Sequence, residues 1–272
     1  MKRLLLPIIC MAVLFGCSTE KAPEPTTELG WFTPYTLMPE ILKGQVNSLE
    51  QKTYWVTEQD GEYVQGALIT RKERDSLNWS WDFIAYFDSL GLAKKVKFLD
   101  DEGEITGHWK INTEDGKFSR AEWFEGDSAK TYWKIFYDDA GHLLKEERYR
   151  SYVDTFMNQY EFKTDEQGQW ILAQFVKNNG EAGNTRTSEY NEAGQVVARE
   201  TINPEGNVIG WMKHTYDEKG LQASYDGMGS DSIMYSGEMK YIDFDESGNW
   251  LKVVYYEKGE LNGMEVRTIE YK

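Results

Sequence analysis

From residue 40 onward, apolar and polar positions alternate in short runs, and small polar clusters ending in glycine interrupt the runs at regular intervals. The stretch Lys52-Thr53-Tyr54-Trp55-Val56-Thr57, followed by Asp60-Gly61, is one such run with its turn. Alternation at period two predicts half-buried β-strands, and only Pro204 interrupts the chain beyond residue 39, as a many-stranded sheet requires. Residues 40–80 read as the lead-in to the same sheet, with no linker separating them from the strands after residue 80.

The clusters include FDSLG (87–91), LDDEG (99–103), NTEDG (112–116), YDDAG (137–141), TDEQG (164–168), YNEAG (190–194), INPEG (202–206), YDEKG (216–220) and FDESG (244–248). Between Gly91, Gly116, Gly141, Gly168, Gly194, Gly220 and Gly248 the intervals are 25, 25, 27, 26, 26 and 28 residues. A period near 26 predicts a repeat architecture. Gly103, Gly206 and Gly259 fall about midway between such glycines, so each unit is two strands and two turns. That leaves about eight or nine residues per strand, near the long end of the ordinary range.

An Asp or Asn three residues before the glycine fits the first position of a type I turn, where its carboxylate or amide oxygen accepts backbone N–H groups further on. The glycine supplies the left-handed conformation of the adjoining bulge. Such loops fix hairpin register and predict the cross-strand pairs Tyr137 with Leu143, Thr164 with Trp170, Tyr190 with Val196, Ile202 with Val208 and Phe244 with Trp250.

The motifs Tyr137-Asp138-Asp139-Ala140-Gly141-His142-Leu143, Tyr216-Asp217-Glu218-Lys219-Gly220 and Phe244-Asp245-Glu246-Ser247-Gly248-Asn249-Trp250 resemble the YD-repeats of RHS-type proteins. The resemblance covers roughly residues 80–272. Its period is longer than that family's, its Tyr varies, and no toxin domain follows the repeats. Short bacterial lipoproteins with degenerate RHS-like repeats are the nearer resemblance. It implies an all-β antiparallel meander of hairpins in a curled open sheet. A membrane β-barrel is disfavoured because Leu143-Leu144-Lys145-Glu146-Glu147-Arg148-Tyr149 puts charge on both faces of its strand.

The N-terminus has another pattern. Lys2-Arg3 precede an apolar run from Leu4 to Phe15 and then Gly16-Cys17, which reads as a signal peptide over residues 1–16. Leu14-Phe15-Gly16-Cys17 resembles the lipobox of bacterial lipoproteins, which implies cleavage before Cys17 and acylation of its thiol. Two or three acyl chains would anchor the protein stably where one would not. Residues 17–39 read as the lipidated cysteine and a flexible tether, and residues 40–272 as a single hairpin-repeat domain. Ser18 after the cysteine implies sorting to the outer membrane.

Composition narrows the chemistry. With 46 acidic and 30 basic residues the chain carries −16, against a nucleic-acid partner. Apolar residues at 40% and aromatics at 14% exclude a disordered chain. The two cysteines, Cys10 and Cys17, leave the body without a disulfide framework, thiolate metal site or cysteine nucleophile. His108, His142 and His214 stand in no metal-ligating spacing, and Gly227-Met228-Gly229-Ser230-Asp231 lacks the G-x-S-x-G elbow. The Asp-rich turns do not match a calcium loop. No catalytic or cofactor-binding residues are therefore expected.

Trp79, Trp81, Trp109, Trp133, Trp170, Trp211 and Trp250 recur along the strands, where core packing accounts for them better than sugar stacking. Asp75-Ser76-Leu77, Asp88-Ser89-Leu90, Asp127-Ser128-Ala129 and Asp231-Ser232-Ile233 resemble acceptors for envelope O-glycosylation, although ordinary turn preference explains them equally. The expected function is a noncatalytic, lipid-anchored envelope protein whose hairpin array is a binding or scaffolding surface. Its partners would be the membrane, through Cys17, and an envelope protein or glycan. The alternative is a carbohydrate-binding or hydrolytic surface protein.

Overall fold

The computed structural model describes residues 26–29, 40–77, 82–229 and 232–272. Cys17, the signal segment, Trp79, Trp81, Ser230 and Asp231 lie outside the described residues. Within the segment read as tether, β1 (Thr26–Leu29) pairs with β2 (Glu40–Lys43) in a small antiparallel ribbon.

The rest is one antiparallel meander. Its first half contains β3 (Val46–Gln59), β4 (Glu62–Leu68), the short helix α1 (Arg71–Leu77), β5 (Phe83–Phe87), β6 (Ala93–Leu99), β7 (Ile105–Glu114), β8 (Lys117–Glu125), β9 (Ser128–Tyr137) and β10 (Leu143–Arg150). Its second half contains β11 (Thr155–Thr164), β12 (Trp170–Lys177), β13 (Ala182–Tyr190), β14 (Val196–Ile202), β15 (Val208–Tyr216), β16 (Gln222–Met228), β17 (Met234–Phe244), β18 (Trp250–Glu257) and β19 (Glu260–Tyr271).

The sheet does not stay open. β19 pairs with β3 from Met264 opposite Tyr54 to Tyr271 opposite Val46, joining the last strand to the first and closing a barrel. This corrects the expected curled open sheet. Closure satisfies both edges, which an open meander would leave exposed to other chains. β4 and β5 lie end to end on the other side of β3, at residues 54–59 and 48–51 respectively, so seventeen strands occupy sixteen positions.

Helix α1 spans the break between β4 and β5. Thr70 and Glu73 form its capping box, each accepting from the other's backbone N–H. The buried Arg74 then donates to Asp82 (2.8 Å), whose other oxygen accepts from Thr53 N–H (2.9 Å) where the ladder to β3 is interrupted.

The turns form as the sequence dictates. In the hairpin after β9, Asp138 N–H donates to the His142 carbonyl (2.9 Å), Gly141 N–H to the Asp138 carbonyl (2.9 Å), and His142 N–H to Asp138 Oδ1 (2.8 Å). The same bonds recur at Asp88, Asp100, Asp165, Asn191, Asn203, Asp217 and Asp245. All five expected turn-flanking pairs are present. The turn in NTEDG differs: Glu114 faces Lys117 across a two-residue loop in which both Asp115 and Gly116 have positive φ, a type I′ geometry.

The longer turns of the 26-residue period share one rim of the barrel. There the backbone ladders between successive hairpins stop short, for instance at Leu172 opposite Thr187 and at Ala198 opposite Lys213. Repeat side chains bridge the gaps. Tyr190, Tyr216 and Tyr241 donate their hydroxyls to the carbonyls of Trp170, Val196 and Gln222. Gln169 and Gln195 donate to the carbonyls of the next turn's glycine, Gly194 and Gly220. Tyr190 and Tyr216 of the turn motif, Tyr241 three residues before Phe244, and the glutamines after Gly168 and Gly194 thus substitute for missing ladder bonds. Asn249 completes the series at the seam, bonding Lys43 N–H and carbonyl (2.7 and 2.9 Å) and the Tyr271 hydroxyl (2.8 Å).

Register separates the two faces of the wall. Leu49, Phe83, Ala85, Val96, Ile111, Ala121 and Trp133 share the buried face and form the main core. Lys110, Glu161, Lys163, Glu189, Glu200, Lys213, Asp226 and Glu238 lie on the opposite, exposed face. In a closed barrel the buried face is the interior. The outer face is buried mainly at one patch, where Val254 and Met264 pack with Val56 and Tyr63 of the β3–β4 hairpin. Tyr63 there bonds Tyr256 (2.7 Å) and receives a bond from Lys240 (2.9 Å).

Aromatic rings fill the interior by lying over glycines: a Cβ on Gly107 would meet the Trp123 ring at 2.4 Å, and one on Gly237 the Tyr225 ring at 2.5 Å. Gly237→Ala is expected to destabilise the fold by about 1–3 kcal/mol, the cost of displacing a packed ring. Chemical denaturation of the variant should give a lower midpoint with the slope unchanged.

Candidate functional site

The barrel interior holds the polar chemistry that alternation places on the buried face. Three clusters occur there, and they differ in how completely their groups are satisfied.

At the closure seam, Arg267 donates to Gln51 across the β19–β3 pair (2.9 Å) and stacks on Trp250, its guanidinium carbon 3.3 Å from the ring centroid. Tyr255 donates to Glu265 (2.7 Å), and burial with that carboxylate beside it drives the phenol well above its ordinary pKa. This cluster is saturated and structural.

The second cluster sits on β9 to β11. Glu146, only 2% exposed, is opposite Ile135 and Tyr160, and its Oε1 has no hydrogen-bond partner. Burial pushes its carboxyl up to about 8, against the opposing pull of Arg148. Arg148 itself lies over the Trp133 ring at 5.2 Å.

The third cluster joins β13, β14 and β15. Ser188 is opposite Arg199, Arg199 is opposite Met212, and His214 is opposite Tyr225 on β16. Arg199 lies over Trp170 at 5.2 Å. Burial lowers its pKa; the Tyr190 and Tyr216 phenols act in the opposite sense, while Arg186 adds like-charge repulsion. His214 is depressed to about 4 by burial, with Arg199 contributing, so it is neutral. Its Nδ1 is buried without a hydrogen-bond partner, and the buried Ser188 hydroxyl lies beside the Tyr190 phenol.

Beside this cluster the wall is slotted. Past Leu172 and Thr187, β12 and β13 part, and an open cavity of about 660 Å³ lies between them, lined by the acids Asp165, Glu189 and Glu192 together with Gln169, Ser188 and Tyr190 among others. Ser188 thus belongs both to the cavity lining and to the buried cluster.

The three histidines are not brought together. His108 stacks on Phe124 on the outer face, with ring centroids 4.8 Å apart, and His142 lies against the Gly168 turn. Among the described residues no group of three His, Cys, Asp or Glu could hold a metal ion. Trp133 and Trp250 are each 7% exposed beneath arginines, and Trp109 packs against Trp123 and Trp133, so these rings serve the interior. Gly227, read as loop, lies at the end of strand β16. Of the Asp-Ser-apolar triplets, Asp88-Ser89-Leu90 lies in a turn, Asp75-Ser76-Leu77 in helix α1, and Ser128 begins β9.

Sequence reading missed Glu146, Ser188 and Arg199. The hairpin register contains the signal, since counting back from the Asn191 turn pairs Ser188 with Arg199. What it lacks is which face turns inward.

No protein-family model matches the chain, and no curated protein matches it. Solved structures do. A porin-like protein from Bacteroides uniformis aligns at a TM-score of 0.51 and 10% identity, covering 83% of this chain and 98% of its own. A porin-like protein from Bacteroides vulgatus aligns at a TM-score of 0.34 and 11% identity over 92% of this chain and 98% of its own. The TcdB2-TccC3-Cdc42 complex aligns at 0.33 and 14% identity, covering 83% of this chain and 12% of that one. The first likeness supports the closed barrel as a fold, and at 10% identity it carries no further.

Two opposite pH dependences arise from the interior. Glu146 titrates near 8 when folded, so its native-state advantage is complete below the ordinary carboxyl pKa and is lost as pH rises through about 8. Glu146→Gln should flatten the fall in melting temperature between about pH 5 and pH 8. His214, depressed to about 4, contributes stability that is present above its ordinary pKa and is lost as pH falls toward 4. His214→Gln should flatten that acid limb, and melting curves of both variants across pH check the two signs.

Proposed function

We propose that this chain is a noncatalytic, lipid-anchored envelope protein whose closed hairpin barrel is a binding body held at the membrane by Cys17. One observation carries the reading: the outer face bears exposed charge along its strands, from Lys110 and Glu161 to Lys213 and Glu238. A lipid-facing barrel wall needs an uncharged outer band, and each lysine or arginine at the bilayer centre would cost about 2–4 kcal/mol. A barrel with this exterior belongs in water, so membrane attachment falls to the acylated cysteine and the segment after it. Sixteen-stranded membrane barrels enclose an aqueous channel. Here the wall's inner face is covered by its own rings and arginines, which favours holding a ligand over conducting solute. The outer membrane is the membrane that Ser18 favours.

Fractionation tests the proposal. Wild-type protein should sediment with membranes and carry a fatty-acyl label, whereas Cys17→Ala should lose the label and appear in the soluble fraction still folded. A Cys17→Ala protein that remains integral to the membrane would contradict the reading.

A further inference from the structure

We infer that the outer edge of strand β4 is a self-association surface, on which a second copy of this chain docks its own β4 in antiparallel register. The inference goes beyond the proposed anchoring and does not depend on it.

The edge exists because of the one irregularity in the wall. Where seventeen strands share sixteen positions, β4 covers β3 only from Tyr54 to Gln59. Among the described residues β4 pairs with β3 alone, and no backbone group of residues 62–67 bonds to anything outside that ladder. Gln59 faces Glu62 across the turn Asp60-Gly61, whose positive φ at both positions makes it type I′. Such a turn closes on a hydrogen-bonded pair, and the ladder alternates from there. The N–H and C=O groups of Glu62 and Val64 therefore point at β3, and those of Tyr63 and Gln65 point away from it. Beyond Gln65 the register shifts, so Tyr63 and Gln65 bound the regular part of the edge.

An edge of this kind is matched by another extended strand. Edges are commonly blunted by lysine or proline, and β4 (Glu62–Leu68) has neither, with Val64 41% exposed in its middle. The hairpin is also held in place. The Tyr63 hydroxyl bonds that of Tyr256 (2.7 Å) and accepts from Lys240 (2.9 Å), so the edge is presented with little ordering left to do.

Self-complementarity selects the occupant. A two-fold axis at Val64 sets Tyr63 of each copy against Gln65 of the other, where they exchange N–H···O=C bonds in both directions. The two Val64 side chains then meet as a non-hydrogen-bonded pair. The same axis sets Glu62 opposite Gly66, so no like charges face each other across the pair. Glu58, Asp60 and Glu62 are exposed at the hairpin tip, and Arg71 and Lys72 are exposed beyond its other end. Antiparallel docking brings the acidic tip of each hairpin toward the basic end of the other, whereas parallel docking would set acid beside acid. One short strand per copy buries less than about 1,000 Å², the range of weak and transient contacts, so the dimer forms where the chain is concentrated.

The test uses the full chain in detergent. Sedimentation over a roughly hundredfold range of concentration should show monomer passing to dimer, with no larger species because the two-fold contact closes on itself. Gln65→Pro removes an outward N–H and leaves the β3 ladder intact, and Val64→Lys puts a charge on the axis. Both variants should melt close to the wild type and stay monomeric over the same range. Val64→Cys, oxidised with glutathione disulfide, should give a peptide linked to its own copy in mass spectra. It should form at least about tenfold faster than with Ile105→Cys, a similarly exposed position on β7.

A wild-type chain that stays monomeric throughout, dimers that persist in the folded Gln65→Pro and Val64→Lys variants, or Val64→Cys linking no faster than Ile105→Cys would overturn the inference. Val64→Cys linked in membranes to a different protein in place of its own copy would do the same.

Discussion

Pairing of the last strand with the first is the constraint on which the rest of the structure depends. Apart from β3 with β5, which β4 and helix α1 separate, every other strand pair in the barrel wall can be reached by following local turns, but β19 meets β3 across nearly the whole domain. Arg267 to Gln51, Ser48 to Glu270 and Asn249 to Lys43 then fasten the seam with side chains. Without that pairing there would be no interior. The residues now buried on one face, Glu146, His214 and Arg267 among them, would stand on an open sheet in water, where their burial and shifted protonation would vanish.

Closure also makes sense of the repeat. Successive hairpins diverge at one rim, and a meander held only by backbone ladders would fray there. The Tyr hydroxyls of residues 190, 216 and 241 and the amides of Gln169 and Gln195 carry bonds across those gaps. Tyr190-Asn191-Glu192-Ala193-Gly194 and Tyr216-Asp217-Glu218-Lys219-Gly220 therefore encode two things at once. The Asn or Asp and the Gly form the turn, and the Tyr ties that hairpin to its predecessor.

Much of this was legible in the sequence because it is local. The Asp138, Asn191 and Asp217 turns, their flanking pairs and the period arise from side-chain hydrogen bonding and from glycine's access to positive φ. The capping box Thr70-Arg71-Lys72-Glu73 was equally local, although a long run of strand-like pattern obscured it. Closure was not legible, because Val46–Gln59 and Glu260–Tyr271 contain nothing that names the other as partner. The interior site was hidden for the same reason. Charges lie on both faces of β10, β13 and β14, so alternation separates Glu146 from Glu147 and Arg199 from Glu200 without saying which of each pair is enclosed. Only the sense of curvature decides, and curvature accumulates over all the strands.

The most direct measurement is a cross-link across the seam. Thr268 and Glu50 are paired residues on β19 and β3. Replacing both with cysteine and oxidising the folded protein under mild conditions should give an intramolecular disulfide, identified as a linked peptide by mass spectrometry, in monomeric and native-melting protein. An open meander would hold these positions apart. Two free thiols, or links formed only between molecules, would contradict the closed barrel and the buried interior that depends on it.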